Sequence, residues 1–257
     1  DKLKLEYNFE EVLLDIAPDY GELEQDESEK LGSSLSDIAP PKTTILASSK
    51  WRAAEKLLIM TNNGSGSCLG LFSRTLCLEK GLRKGSFLCY IEDALQAGYE
   101  IILLRPNKNS IIREVGNGMP DEKVMIPGSE SPEMHAITVW EEIVPQILNL
   151  KSIALFGYGN GSTLCATIKI KSMLSRHLNI IHSFATLEAS SVLDEDSPDD
   201  VRREMESIAV NFEHNRMHQI GVELAYKKSK LGITSLSLGM PADTFVEVEE
   251  PLANVAE

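Results

Sequence analysis

The sequence predicts an α/β domain with a mostly parallel central sheet, and two observations lead to this fold class. Short apolar segments alternate along the chain with longer segments whose apolar residues recur at helical spacing. Strands separated by helices in this way form parallel sheets covered by helices on both faces, which gives three layers. The chain has 257 residues, of which 42% are hydrophobic, so it is long enough to bury one large core.

Residues 1–45 are predicted to lie outside this domain, which then spans residues 46–257. The segment 18–43 is acidic, rich in Ser and interrupted by Pro40 and Pro41, so it cannot bury much of itself. We predict that it forms a surface linker. Before it, a short amphipathic arm is expected to pack on the main domain through four side chains: Tyr7, Phe9, Val12 and Leu13.

The first part of the domain is predicted to be a β-α-β unit. The apolar runs KLLIMT at 56–61 and YEIILLRPN at 99–107 end in polar turns, which is typical of buried strands. Between them, apolar residues at helical spacing run from Phe87 to Leu95, and Gly98 ends the predicted helix.

The second part continues the same alternation. Helices are predicted at 131–148, 162–177 and 221–230, and the acidic segment 191–206 is expected to form a loop and a short helix. The strands predicted among them lie at 152–158, 180–189, 207–212 and 233–239. This order extends the parallel sheet to the end of the domain.

Charge and composition make several classes of partner improbable. The chain has 25 Lys and Arg against 39 Asp and Glu, a formal net charge of -14, so its surface should repel a nucleic-acid backbone. Its four cysteines show no C-x-x-C spacing, which argues against a zinc ribbon or a redox pair. No signal peptide or run of about 18 apolar residues is recognisable, so we expect a soluble intracellular protein without membrane partners.

The junction LFGYGNGS at 155–162 is unusually rich in glycine and has three interpretations. It could be a dinucleotide-binding turn, although the motif is incomplete, a simple tight turn, or a nucleophile elbow, the sharp strand-to-helix turn that presents a serine in hydrolases. Read as G-x-S-x-G, the elbow would have Gly159 at the serine position, and a frame shifted by two residues would place Gly157 there. Neither residue can attack a carbonyl, so such an elbow would be catalytically empty.

A serine mechanism also needs a histidine base and an acid, generally supplied late in the chain. No histidine follows His218, and both His214 and His218 come directly after the strand 207–212, where the acid is generally found. A residual hydrolase would have to combine His214 with one of three serines: Ser65, Ser67 or Ser162.

Three further sets of residues could in principle support an oxyanion hole, a reactive thiolate or a cation site. Residues 62–66 (NNGSG) could offer backbone N–H groups as an oxyanion hole, but without a nucleophile they are a glycine loop. Cys165 has no basic neighbour at helical spacing except Lys169, so a reactive thiolate is not expected. Glu188 and the acidic run 194–200 could hold a cation, but no calcium-loop spacing is present. We therefore expect a solvated loop, no metal and no cofactor.

Several of these segments together resemble the family of Argonaute-binding protein two. The domain of that family also occurs at the C-terminus of fungal class II histone deacetylases and in an animal cotranscriptional regulator. The similarity spans about residues 50–245 and is carried by five segments in order: KLLIMTNNGSG, the block 73–109, SPEMHAITVWEEIV, LFGYGNG and SIAVNF. It implies an α/β-hydrolase-like three-layer sandwich.

The resemblance also implies that the catalytic residues are missing. Members with an intact-looking elbow carry His-Ser-Tyr-Gly-Gly, and with Tyr158 in register the matching positions are Phe156, Gly157, Tyr158, Gly159 and Asn160. The serine position is then Gly157. The base position, counted from Gly239, falls at or near Asp243, and the histidine of the loop after the first strand is replaced by Asn62 or Asn63.

The function implied by the resemblance is a non-catalytic subunit of an RNA-silencing complex in the nucleus and in part the cytoplasm. Its expected partners are another Argonaute-binding subunit and Argonaute, in a complex that carries small RNA and supports heterochromatin formation. An alternative within the family is a histone-binding or dimerisation domain of a class II histone deacetylase. The alternative from another class is the residual serine hydrolase described above.

Overall fold

The computed structural model describes residues 2–14, 41–63, 69–113, 121–174, 180–193 and 197–239. Its strands are β1 Phe9–Leu14, β2 Thr43–Ser48, β3 Lys56–Asn63, β4 Glu100–Leu103, β5 Ser110–Arg113, β6 Glu122–Met125, β7 Ser152–Gly159, β8 Ile181–Leu187, β9 Ala209–Glu213 and β10 Thr234–Ser237. Its α-helices are α1 Lys2–Tyr7, α2 Arg74–Lys80, α3 Leu82–Gly85, α4 Leu88–Gln96, α5 Pro132–Thr138, α6 Gly161–Leu174, α7 Asp199–Ile208 and α8 Ala225–Leu231. One π-helical turn, Val139–Ile143, extends α5.

Eight strands form one sheet in the order β1-β2-β4-β3-β7-β8-β9-β10. The six strands from β4 to β10 along this sheet are parallel, whereas β1 and β2 are antiparallel to their neighbours. This is the strand order of the α/β-hydrolase fold, so the predicted fold class is confirmed. The hairpin of β5 and β6 forms a separate sheet that the sequence patterns did not predict.

Helices cover both faces of the sheet and bury two cores. Alternate residues of β3 enter different cores: Leu57 and Ile59 pack with α5 and α6, while Leu58 and Met60 pack with α4. This alternation follows from the period of two in a strand. It explains why the middle of β3, Leu57–Met60, is an unbroken apolar run and why three layers result.

The N-terminal arm is a strand of the main sheet and not a separate tether. Phe9 pairs with Ser48 and Leu14 with Thr43, so the boundary predicted at residue 45 falls inside β2. Phe9 and Val12 are buried as expected, but Leu13 is 58% exposed, because successive strand residues point to opposite faces. Most of the predicted acidic linker lies outside the described residues.

Two element boundaries also differ from the sequence prediction. Ser207 and Ile208 end α7, and β9 begins only at Ala209, whose N–H still bonds to the carbonyl of Met205. The last helix begins at Ala225 and not at residue 221. The other predicted helices and strands of the domain are present within a few residues of their expected positions.

Candidate functional site

The glycine-rich junction is a sharp turn from β7 into α6, and Gly159 lies at its centre. Gly159 has φ +56°, in the left-handed region that favours glycine. A Cβ added there would meet no atom within 4 Å in the described part of the chain beyond its sequence neighbours. The position therefore has the strained backbone and the open surroundings of an elbow nucleophile, but no side chain.

The two neighbouring glycines are packed against backbone. A Cβ at Gly157 would lie 2.6 Å from the Cα of Ser162, and a Cβ at Gly161 would lie 2.4 Å from the carbonyl oxygen of Thr61. No side chain fits at either position. The family register that gave Gly157 as the serine position therefore disagrees with this geometry, in which Gly159 is the position of the turn that has room for a side chain.

The serines proposed for a residual hydrolase are not available as nucleophiles where the structure describes them. Ser162 is fully buried in the first turn of α6, and its hydroxyl donates to the carbonyl of Gly157 at 3.4 Å. Its role is to tie the helix to the strand. Ser65 and Ser67 lie outside the described residues, as does Asp243, the predicted base position.

A hydrogen-bonded histidine–carboxylate pair lies at the ends of the next two strands. Glu188 follows β8 and His214 follows β9, and one Glu188 carboxylate oxygen accepts from the His214 backbone N–H at 2.8 Å and contacts Nδ1 at 2.6 Å. Glu188 has φ +54°, which is uncommon for a residue with a side chain and indicates strain. The carboxylate thus contacts both the backbone and the ring of His214 and orients the ring.

The pair lies close to the elbow. Ser190, just after Glu188, hydrogen-bonds the Asn160 side chain, and the hydroxyl of Thr163 donates to the carbonyl of Ser191. Burial raises the pKa of Tyr158, and the negative charge of Glu188 raises it further. The sequence treated Glu188 only as a possible cation ligand. The signal that could have found the pair is its placement after two neighbouring parallel strands.

The oxyanion-hole candidate Asn62 has a structural role. Its side-chain nitrogen donates to the carbonyl of Leu71 at 2.9 Å, and its oxygen accepts from the N–H of Gly70 at 3.2 Å. The buried amide thus fixes the chain at 70–71. Residues 64–66 of the predicted loop lie outside the described residues.

Aromatic rings pack on one side of the elbow. Tyr158 and Phe72 lie 5.0 Å apart between ring centroids, and Phe156 contacts Phe87 and Tyr90 at 5.3 and 5.2 Å. These distances are typical of favourable edge-to-face and stacked pairs. The cluster stabilises the end of β7 from the α4 side.

The remaining candidates do not provide reactive groups in the described residues. Cys165 is fully buried, and burial raises the pKa of its thiol, so it stays protonated. His218 is exposed, and its ring hydrogen-bonds the Asn215 side chain at 3.0 Å. Asp194–Asp196 lie outside the described residues, and Asp199 and Asp200 begin α7.

Metal-binding clusters and membrane-spanning helices are both absent from the described residues. No group of three or more His, Cys, Asp or Glu side chains is arranged to hold a metal ion within the described ranges. No helix in those ranges is both long and apolar enough to cross a membrane.

Comparison with known proteins identifies the family. A family model for the Arb2 domain matches residues 36–216, which is most of the chain. The chain belongs to the Arb2 domain family. The resemblance inferred from the sequence is therefore confirmed, and the match includes the elbow, Glu188 and His214.

A relative of known name is similar to this chain over part of its length. The cotranscriptional regulator ARB2A homolog of Dictyostelium discoideum is 30% identical over 112 residues, which cover 35% of this chain and 29% of that protein. The matched region thus spans under a third of the relative's length.

Solved structures with low sequence identity were also found. A histone deacetylase from Saccharomyces cerevisiae is 13% identical, with 95% of this chain and 85% of that chain covered and a TM-score of 0.47. The bacterial brefeldin A esterase is 11% identical, with 83% and 69% covered and a TM-score of 0.38.

Proposed function

We propose that this Arb2 domain is a non-catalytic protein-binding module that regulates gene expression in the nucleus. The observation that carries the proposal is Gly159: the nucleophile position of the elbow has no side chain. The neighbouring glycines cannot substitute for it because backbone atoms occupy the space that their side chains would need. The turn is retained for shape, since it brings β3, β7 and α6 into close contact.

More specifically, we propose that the domain binds another Argonaute-binding subunit and Argonaute in a complex that acts in RNA-mediated heterochromatin silencing. The sequence resemblance to the Argonaute-binding family supports this assignment. A relative named as a cotranscriptional regulator is consistent with a nuclear role. The net charge of -14 favours contacts with protein over direct contacts with RNA.

The absence of catalysis is tested with the purified chain. A fluorophosphonate probe should give no labelling and p-nitrophenyl acetate no turnover above a sample inactivated by heat. Gly159→Ser is the matched variant and is tested in the same two assays, because the space around position 159 is open to a serine side chain. Covalent labelling of the native chain at a single serine, mapped by mass spectrometry, would overturn the non-catalytic assignment.

The partner assignment is tested by affinity purification from the source cell, followed by mass spectrometry. Argonaute and a second Argonaute-binding subunit are expected in the eluate. Core histones or deacetylase peptides without Argonaute would instead support the histone-binding alternative. An eluate from cells that express an untagged chain serves as the control.

A further inference from the structure

A groove with basic side chains runs beside α1, α4 and the segment that follows β4. It consists of two adjoining hollows of about 280 and 360 Å³, which share Leu69 and Arg105 in their walls. Together they have the volume of a typical ligand site. Asn62 of β3 lines one hollow and pairs in register with Tyr158 of β7, so the groove opens at the same sheet edge as the elbow.

The charge of the groove is opposite to that of the whole chain. Acidic residues outnumber basic ones by 39 to 25 in the sequence. Among the lining residues, however, Glu11 is the one carboxylate and four side chains are cationic: Lys2, Lys4, Arg105 and Lys108. Lys2 pairs with Glu6 at 3.3 Å, and Lys4 and Arg105 both pair with Glu11, at 3.4 and 2.8 Å, so part of this positive charge is already compensated. The described lining keeps a net positive charge, which attracts a negative ligand locally although the whole chain is acidic.

Arg105 is held in position before any ligand arrives. Its guanidinium donates to the Thr44 hydroxyl at 2.9 Å and to the Glu11 carboxylate at 2.8 Å. The backbone N–H of Arg105 donates to buried His135 at 3.0 Å. A guanidinium has five N–H donors, so its fixed position reduces the entropy lost when further donors engage a carboxylate.

Apolar side chains form much of the rest of the wider hollow, beside Gly70 and Ser86. Leu82 is 41% exposed there, and it is accompanied by other aliphatic lining residues: Leu3, Leu46, Leu71, Leu88 and Ile91. Aliphatic side chains favour a ligand that brings apolar groups together with its negative charge. A nucleic-acid strand would supply the charge but would not fill this surface with aliphatic groups.

We propose that this groove binds an acidic peptide segment of a protein partner, with leucine-like side chains on the aliphatic wall and carboxylates at Lys4, Arg105 and Lys108. The inference rests on the proposed protein-binding function and gives that function a docking surface. Charge complementarity and the aliphatic wall together select acidic, leucine-containing segments over neutral peptides.

The test measures fluorescence anisotropy of a fluorescein-labelled peptide in which single Leu residues alternate with pairs of Glu. The native chain should bind it, and a peptide with Gln in place of every Glu should bind at least about tenfold more weakly. Combined Lys4→Glu and Lys108→Glu should weaken binding of the Glu peptide by about tenfold or more. Leu82→Asn, at a partly exposed position, should also weaken it.

Lys151→Glu is the matched control, because Lys151 is also an ion-paired surface lysine but lies at the opposite sheet edge beside Glu55. It should leave the affinity unchanged, and far-ultraviolet circular dichroism should show that all variants are folded. Equal binding of the Gln peptide, no effect of the lysine reversals, or tighter binding of labelled oligodeoxythymidylate would overturn the inference. If the peptide fails to bind while Argonaute is still recovered from cells, the groove inference fails and the proposed function stands.

Discussion

The elbow and the histidine–carboxylate pair are neighbouring parts of one region, and they differ in what defines them. At the elbow the backbone makes a sharp turn, with Gly159 at φ +56°, and no side chain is present at its centre. At the ends of β8 and β9 two side chains are paired, and Glu188 orients His214 by two contacts. One part is thus defined by its backbone shape and the other by its side chains.

The physical reason lies in packing. Gly157 and Gly161 bring the ends of β3, β7 and α6 so close together that a single Cβ would overlap backbone atoms. A side chain at the centre of the turn would project away from these contacts, so its presence or absence leaves the core packing unchanged. Stability therefore constrains the flanking glycines, whereas only chemistry would constrain the central position.

The largest effect is expected at the flanking glycines. Gly161→Ala should lower the free energy of unfolding by about 3 kcal/mol, because the new Cβ overpacks a rigid contact. The contact is with the carbonyl oxygen of Thr61, at 2.4 Å. Urea unfolding followed by tryptophan fluorescence measures the change. A loss under about 0.5 kcal/mol, the usual range for surface substitutions, would show that the close contact is not rigid.

A buried histidine near the groove should make stability depend on pH. Burial, together with the charge of Arg105, lowers the pKa of His135 to about 4, and its Nε2 accepts from the Arg105 N–H. As the pH falls, the unfolded chain takes up a proton on this histidine near pH 6.5, whereas the folded chain does so only near pH 4. Stability from this residue is therefore complete above about pH 6.5 and is lost as the pH falls towards 4, by about 3 kcal/mol.

The measurement for His135 is the free energy of unfolding between pH 7 and 4.5, in the native chain and in His135→Gln. The variant should be less stable at pH 7 but should have a shallower slope, because it cannot take up a proton. Equal slopes in the two proteins would contradict the assignment of the pH dependence to His135.

The sequence was sufficient to predict the main sheet and the sharp turn after β7, but not which glycine lies at the centre of that turn. Short apolar runs predict β3 and β7, because burial on both faces makes the middle of each strand apolar. Gly157 and Gly159 look alike in sequence. The structure distinguishes them by the positive φ of Gly159 and by the close approach of Gly157 to Ser162. Likewise, β1 joins β2 across a long intervening segment, a nonlocal pairing that local patterns do not encode.

Substitutions in the Glu188–His214 pair should lower the free energy of unfolding by less than substitutions at the flanking glycines. Glu188→Ala removes both contacts with His214 and should lower the free energy of unfolding by about 1–2 kcal/mol. Glu188→Gly removes the same contacts but relaxes the backbone strain at φ +54°, so its loss should be smaller by roughly 1 kcal/mol. Urea denaturation of both variants provides the test. Equal losses would mean that the unusual φ is not strained.

The smallest effect is expected at the centre of the elbow. Gly159→Asn places a side chain in open space, and asparagine tolerates a left-handed φ better than most residues. The free energy of unfolding should fall by no more than about 1 kcal/mol, well below the loss from Gly161→Ala in the same denaturation assay. If Gly159→Asn were as damaging as Gly161→Ala, the central position would be a packing position too. The distinction between flanking glycines that are needed for packing and a central glycine that is not would then be wrong.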